Sequence, residues 1–375
     1  MMDLLDLGTP AILIDQSIVR ANITAMQDMA TSAGIQLRPH IKTHKSVTVG
    51  QWQLDAGAVG ITVAKVGEAE VFASHGFTDI RIAYPVSTLT VQRVLKLMGK
   101  TNLSIVVDNE TVATRWSDLM LASKRQLDVL VKVDVGFHRC GIDPTKTDAA
   151  SFLGRIAALP GLRLQGLLSH AGHSYESESR QEIAKIAKEE ARTLGQIAED
   201  AENMGTKIHE LSVGATPTAQ FSLLERVLTE LRPGNYVFYD LTQVALGAAN
   251  IAQCGLSIWT TVISQPEQNR LVLDAGSKTL SSDRARGKHA RPGFGAISSA
   301  SMENNIDNSL IVERLSEEHA VVSVIDGKSN LAPGDRVRLI PNHACVAVNL
   351  ADKLHLIDGT TVVSSIAVEG RGENT

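Results

Sequence analysis

Residues 35–46 read Ile-Gln-Leu-Arg-Pro-His-Ile-Lys-Thr-His-Lys-Ser, and the rest of the chain can be ordered around them. Ile35, Leu37 and Ile41 give an apolar strand, and Arg38, His40, Lys42, His44 and Lys45 crowd its end. Side chains alternate along a strand, so His40, Lys42 and His44 are expected on one face. Two imidazoles flanking a lysine disfavour its ammonium form, and a lysine of lowered pKa can attack a carbonyl as the free amine. A solvated basic strand end is the plainer reading of any single lysine. Arg-Pro-His-x-Lys-Thr-His-Lys is a more specific arrangement than that reading needs.

Outward from this stretch, the pattern is regular. Pro10–Ile14 reads as a short buried strand, and 15–33 has helical apolar spacing through Ile18, Ile23, Met26 and Met29, with Gly34 as a stop. After the strand at 35–42, strand candidates recur at 58–64, 79–83, 103–107, 128–134, 163–169, 208–213 and 229–239. Helix-period segments separate them at 46–56, 66–75, 87–98, 109–122, 145–158, 178–204 and 217–223. Eight strands alternating with helices predict a parallel α/β fold. A doubly wound sheet normally carries Gly-x-Gly-x-x-Gly after its first strand, and the chain lacks it, so a (β/α)8 TIM-type barrel is the expectation.

The rhythm changes near residue 244. Strand candidates then follow one another at 256–264, 270–274, 310–314, 319–324, 335–340, 345–349, 354–357 and 361–367, punctuated by Gly and Pro. They predict a C-terminal antiparallel β domain. The expected division is 1–14 as an N-terminal strand joining that domain, 15–244 as the barrel and 245–375 as the β domain.

Composition narrows the function. With 375 residues, 43% hydrophobic and 21% charged, the chain has the make-up of a soluble globular protein. A net charge of −5 without a long basic run argues against nucleic acid. The N-terminal stretch lacks the charged and apolar regions of a secretory signal, and no run of about 18 apolar residues suits a membrane. Cys140, Cys254 and Cys345 are far apart and odd in number, which fits the cytoplasm better than a disulfide framework.

Barrel enzymes place their chemistry at the C-terminal ends of the strands. The candidate strand ends here carry Lys42, Lys65, Asp108-Asn109, the run Lys132–Gly141, the run Ser169–Glu176, Ser212–Thr218 and Arg232–Tyr236. Gly214, Thr216, Ser212, Gly234 and Asn235 follow strands seven and eight, where many barrels hold a phosphate on backbone N–H groups and small hydroxyls. A helix N-cap and a turn explain each of these motifs alone about as well. Pro341-Asn342-His343-Ala344-Cys345 is a second signal. On an extended strand His343 and Cys345 share a face, and imidazole with thiolate favours Zn2+ over Mg2+ or Ca2+. A buried cysteine behind a solvent-facing histidine is the alternative.

The Arg38–Lys45 segment resembles the cofactor-lysine motif of the D-threonine aldolase and D-serine dehydratase family, which belongs with alanine racemase among the fold type III pyridoxal-phosphate enzymes. The resemblance implies a pyridoxal 5'-phosphate Schiff base on Lys42 and a cofactor site that includes His40, Tyr175 in His-Ser-Tyr, the segments at 212–216 and 234–235, and His170 near the ring. It also implies a homodimer, a D-amino acid substrate with a β-hydroxyl, and a barrel followed by a β domain. His343-x-Cys345 matches the metal motif of the D-serine dehydratase branch, where the aldolases carry His-x-Asp. A divalent metal is therefore expected, Zn2+ first and Mn2+ second, with dehydration preferred to retro-aldol cleavage. A racemase needs no metal, and a non-catalytic cofactor carrier ends after its barrel. Roles for 274–284 and 317–319 stay open between substrate border and hairpin surface.

Overall fold

In the computed structural model, which describes residues 2–298, 305–325, 327 and 329–375, the chain forms an eight-stranded parallel barrel and a ten-stranded mixed sheet. Around the barrel run Gln36–Leu37, Glu230–Leu231, Glu210–Val213, Leu162–Leu168, Leu127–Lys132, Asn102–Val107, Asp79–Pro85 and Ile61–Val63. A parallel bridge between His40 and Thr62 closes the circle from the last strand to the first. The fold is thus the expected TIM-type barrel with a β domain. Two of its strands are much shorter than their sequence suggests. Residues 38–46 leave the strand geometry, and Ile41–Thr43 form a 3-10 turn with His40 as N-cap. Likewise the apolar run after Leu231 turns into a second 3-10 segment, Asn235–Val237.

Inside the barrel a carboxylate joins strands that are not neighbours. Glu230 on the eighth strand accepts from Arg38 Nε on the first at 2.6 Å and from Arg81 Nη1 on the third. Arg81 also reaches Glu210 at 2.6 Å and Ser104, while Arg38 pairs with Asp79. Strands three and eight can meet only across the interior, so these ion pairs sit where a TIM barrel ordinarily stacks branched apolar side chains. Burial opposes ionisation of Glu230, but the two guanidinium groups outweigh it and its pKa is lowered.

The mixed sheet is ordered Met2–Asp3, Thr361–Ala367, Lys353–Asp358, Ala11–Asp15, Leu256–Glu267, Arg270–Leu273, Ala320–Val324, Leu310–Leu315, with Arg336–Ile340 and Ala296–Ser298 branching from Leu256–Glu267. Ala11–Asp15 runs antiparallel to Leu256–Glu267 and parallel to Lys353–Asp358, at the centre of a sheet whose other strands, apart from Met2–Asp3 at its edge, come from residues 256–367. One candidate strand of the β domain is a helix. Ala344–Asn349 is helical, with Ala344, Ala347 and Val348 buried. The C-terminal tail crosses back to the barrel. Gly370 N donates to Lys45 O at 2.9 Å, Glu369 accepts from Val47 N at 2.9 Å, and Lys45 Nζ pairs with Glu68 at 3.2 Å.

Glu230→Ala leaves two guanidinium groups buried without their shared partner and is expected to cost about 3–5 kcal/mol. Urea unfolding followed by circular dichroism measures it. Because the folded-state pKa of Glu230 is depressed, its contribution is complete above the unfolded glutamate pKa. It is lost as pH falls through the folded value, so the wild-type midpoint should drop on acidification more than that of the variant.

Candidate active site

A cavity of about 600 Å³ opens at the C-terminal ends of the barrel strands and runs to the 344–349 helix of the β domain. Lys42 stands in it. Its side chain is solvent-accessible through the cavity, yet protein crowds around it, and this enclosure is the main factor lowering its pKa. Cys345 and Glu68 oppose the shift, while Arg139 and Arg232 add to it. The cause differs from the pair of imidazoles expected on a strand. The 3-10 turn breaks the alternation, and His44 points away into the core, where it bonds Gln53 Oε1 at 3.2 Å and the Ser46 carbonyl oxygen at 3.1 Å. Burial brings the His44 pKa down to about 4. His40 does line the cavity with Lys42, and enclosure followed by the Lys42 charge holds it well below the ordinary histidine value.

The other predicted residues converge here, with one exception. His170, Tyr175, Gly214, Thr216, Gly234 and Asn235 all line the cavity. His170 Nδ1–H donates to the Gly214 carbonyl, which fixes its tautomer and leaves Nε2 as the basic nitrogen, and enclosure depresses its pKa strongly. Ser212 is not a wall residue. Its hydroxyl donates to Glu230 at 2.5 Å and accepts from Arg232 Nε at 2.7 Å, below the cavity. Arg232, also held by the Ser169 carbonyl, is therefore aimed by the ion network of the barrel interior. Lys132 lines the cavity too, and burial brings its pKa to about 8.

The fit to pyridoxal phosphate can be judged from the walls. Among the described residues, Thr216 Oγ1 and Asn235 Oδ1 are buried without a hydrogen-bond partner, as groups are that await an acceptor or donor. A Cβ on Gly214 would lie 2.7 Å from the Arg232 carbonyl oxygen, and one on Gly234 2.9 Å from Thr43 Oγ1. Only glycine lets strand ends one, seven and eight draw together into this cradle. Lysine amine, open volume and unpaired polar atoms all suit the cofactor.

At the β-domain side stand His343 and Cys345. They come together because His343 is the extended N-cap of the helix and Cys345 lies in its first turn, not because they alternate on a strand. His343 Nδ1 and Asp283 Oδ2 are 2.7 Å apart, leaving Nε2 as the outward donor. Burial opposes charge on His343, but Cys345, Asp240 and Asp283 outweigh it and its pKa is raised; the thiol of Cys345 is lowered in return. Thr43 Oγ1 is 3.3 Å from Cys345 Sγ, so the residue after Lys42 touches the metal motif directly. Among the described residues no group of three or more His, Cys, Asp or Glu could hold a metal. Two donors fit an ion that keeps its other positions for solvent or substrate.

The 274–284 segment divides. Asp274 is taken up by Thr260, Thr261 and Thr9 within the sheet, whereas Asp283 and Arg284 line the cavity. Glu317 and Glu318 pair with Lys278 at 2.7 and 2.9 Å on the surface. Sequence reasoning missed Asp240, which accepts from Asn235 at 2.6 Å and from Ala344 N at 3.0 Å and so ties the eighth-strand loop to the metal motif. Its signal was a lone acid inside an apolar run. No helix is long and apolar enough to cross a membrane among the described residues.

The profile of the alanine racemase N-terminal domain matches residues 14–241, and that of a putative serine dehydratase domain matches 255–357. D-serine dehydratase of Dictyostelium discoideum is 31% identical over 95% of both chains. D-threo-3-hydroxyaspartate dehydratase of Delftia sp. HT23 is 33% identical over 91% of this chain and 92% of that one. Its structure superposes with a TM-score of 0.89 at 30% identity, covering 98% of this chain and 99% of the other. D-threonine aldolase of an Arthrobacter species is 31% identical over 97% of this chain and 93% of that one.

Gly214→Ala, which sets a methyl against the Arg232 carbonyl, is expected to weaken pyridoxal phosphate binding by about tenfold or more. A visible-absorbance titration of the purified apo-protein checks it.

Proposed function

Because this chain belongs to the family that joins an alanine racemase N-terminal domain to a D-serine dehydratase domain, and is with it a pyridoxal-phosphate lyase of β-hydroxy D-amino acids, we propose that it dehydrates its substrate to a 2-oxo acid and ammonia. The observation that carries this reading is the meeting of Lys42 with His343 and Cys345 across one cavity, bridged by the Thr43–Cys345 contact. Pyridoxal phosphate, when bound, supplies an aldehyde for Lys42 and a ring that takes up the electron pair left at the α-carbon. A divalent ion held by His343 and Cys345, Zn2+ first and Mn2+ second, would supply Lewis acidity to a β-oxygen; a D-threo-3-hydroxyaspartate dehydratase has been solved in a metal-free form as a cysteine-to-alanine variant.

The chain's own groups do the remaining work. Lys42, with its lowered pKa, serves as the base that removes the α-proton. Gly214, Thr216, Gly234 and Asn235 receive the phosphate; His40, His170 and Tyr175 bound the ring. His170 stays neutral near pH 7, since enclosure depresses its pKa, and so adds no charge to that of Lys42. Asp283 orients His343 and keeps the imidazole in one tautomer. Retro-aldol cleavage is the second reading, favoured by the Arthrobacter relative. Cys345, where the aldolases of the resembling family have aspartate, is the basis for preferring dehydration. A cytoplasmic homodimer, with the barrel taken as 15–244 and the β domain as 245–375, completes the proposal.

Product analysis decides the chemistry. With D-threonine, pyridoxal phosphate and Zn2+, dehydration gives 2-oxobutanoate and ammonia; glycine with acetaldehyde would replace it by the aldolase reading. Lys42→Ala is expected to abolish the absorbance near about 420 nm of the lysine-anchored cofactor. A surviving band would remove Lys42 from its role. Asp283→Asn is expected to weaken Zn2+ binding by about 10–100-fold in competition with a chromophoric chelator, while the absorbance of the cofactor persists.

A further inference from the structure

The rim of the cavity carries positive charge that the reaction described so far does not use. Arg284-Ala-Arg-Gly-Lys-His-Ala-Arg291 holds four cationic side chains, a histidine and no carboxylate, in a chain of net charge −5. Lys288 is spent on Glu178, 3.4 Å away. Arg284 and Arg286 line the cavity, and among the described residues neither has a carboxylate within 4 Å. The carboxylates that share the cavity wall are already engaged: Asp240 by Asn235, Gln243 N and Ala344 N, and Asp283 by His343.

The backbone that carries these arginines is held in place. Asn342, the residue before His343, donates from Nδ2 to the Asp283 and Gly293 carbonyls at 3.1 and 3.0 Å. Thr242 Oγ1 donates to the Asn342 carbonyl at 2.8 Å and accepts from Arg286 N at 3.3 Å. The guanidinium of Arg284 stacks 4.6 Å over the Phe294 ring. The 283–286 segment is thus tied to the same short run of backbone that presents His343 and Cys345. A substrate whose amine faces Lys42 and whose β-hydroxyl faces His343 brings the remaining β-substituent beside this segment. Arg139 and Lys132, on the barrel side, are left for the α-carboxylate. A hydrogen at the β-position, as in D-serine, or a methyl group, as in D-threonine, gives two unpaired guanidinium groups nothing to bind. A carboxylate matches them in charge and in planar, forked geometry.

We propose that Arg284 and Arg286 form a subsite for a β-carboxylate, so that the preferred substrates are 3-hydroxy D-amino dicarboxylic acids of the D-threo-3-hydroxyaspartate type. The inference rests on the lyase reading above and narrows it. The basic loop also draws dianions toward the mouth, an effect that salt screens.

The test compares kcat/KM for D-threo-3-hydroxyaspartate, D-serine and D-threonine, using the full chain loaded with pyridoxal phosphate and Zn2+. Wild type is expected to prefer the dicarboxylate by about tenfold or more. Arg284→Ala with Arg286→Ala should reduce the hydroxyaspartate-to-serine ratio by about 10–100-fold, mainly through KM, and Lys at both positions should restore part of it. Equal or better use of D-serine by wild type, or a ratio that the double substitution leaves unchanged, overturns the subsite. Should none of the three be turned over, the lyase reading has failed, and binding decides the subsite separately. Tighter perturbation of the cofactor absorbance by hydroxyaspartate than by D-serine, lost in the double variant, upholds it; equal affinity overturns it.

Discussion

Glu230 is the point from which the barrel is held in register. One carboxylate accepts from guanidinium groups on strands one and three while its own strand pairs with strands one and seven. A buried ion pair adds little net stability over an apolar filling of the same volume, because desolvation of the ions offsets most of their attraction. What it does impose is geometry. A slip of any of these strands would leave a buried charge unpartnered. The same carboxylate accepts from Ser212, and Ser212 accepts from Arg232, so the network that fixes register also aims a cation at the cavity. Interior and mouth of the barrel therefore differ in electrostatic design. In the interior, charges are paired, and the shifts of Glu230 downward and Arg38 upward favour their ionised forms. At the mouth, Lys42, His40 and His170 are enclosed among cations and pushed toward their neutral forms, as a base and its neighbours must be to work near pH 7.

The alternation of strands and helices, the change of rhythm near 244 and the loops that carry the cavity walls were legible from pattern alone. Local geometry at the chemically important turns was not. Ile41 is fully buried, and its apolar character read as strand when it reflects packing of a 3-10 turn. Ala344–Asn349 misled in the same way: Val346 and Val348 suit a strand by propensity, but burial of one face against the sheet selects a helix. The second misreading still placed the right residues together, since His343 and Cys345 converge from a cap and a first turn as readily as from alternate strand positions; the first did not, because the turn sends His44 away from Lys42 into the core. At Ser212 the partners across the fold decide the role. A hydroxyl at the end of strand seven looked like a phosphate ligand, and only the positions of Glu230 and Arg232, some twenty residues on, reveal that both of its lone-pair and donor capacities are already committed. Asp283 could be named only as a possible border residue, because nothing in sequence links it to a histidine sixty positions later.

The site is shared between the two halves of the chain at atomic scale. Lys42 comes from the 3-10 turn that follows the first barrel strand, and its neighbour Thr43 meets Cys345 of the sheet domain, while Asn235 donates to both Asp240 and Cys345. The tail from Glu369 onward then returns to Lys45 and Val47, on the far side of the same turn. Movement of either half against the other would separate the base from the groups expected at the β-carbon, so this chemistry requires the interface to be stiff.

The central position of Ala11–Asp15 in the sheet has a consequence for how the molecule is made. Its partners are Leu256–Trp259 on one side and His355–Ile357 on the other. During synthesis this strand emerges before the barrel and waits, with both hydrogen-bonding edges open, while the whole barrel is added. Closing such distant pairs carries a large loop entropy and makes assembly slow. An apolar strand with two free edges is also a template for pairing with another chain. The barrel can gather its core while the sheet is incomplete, but the cavity acquires its β-domain wall only when the final strands arrive. A growing chain is thus kept from exposing a finished lysine site before the groups that direct its chemistry are in place.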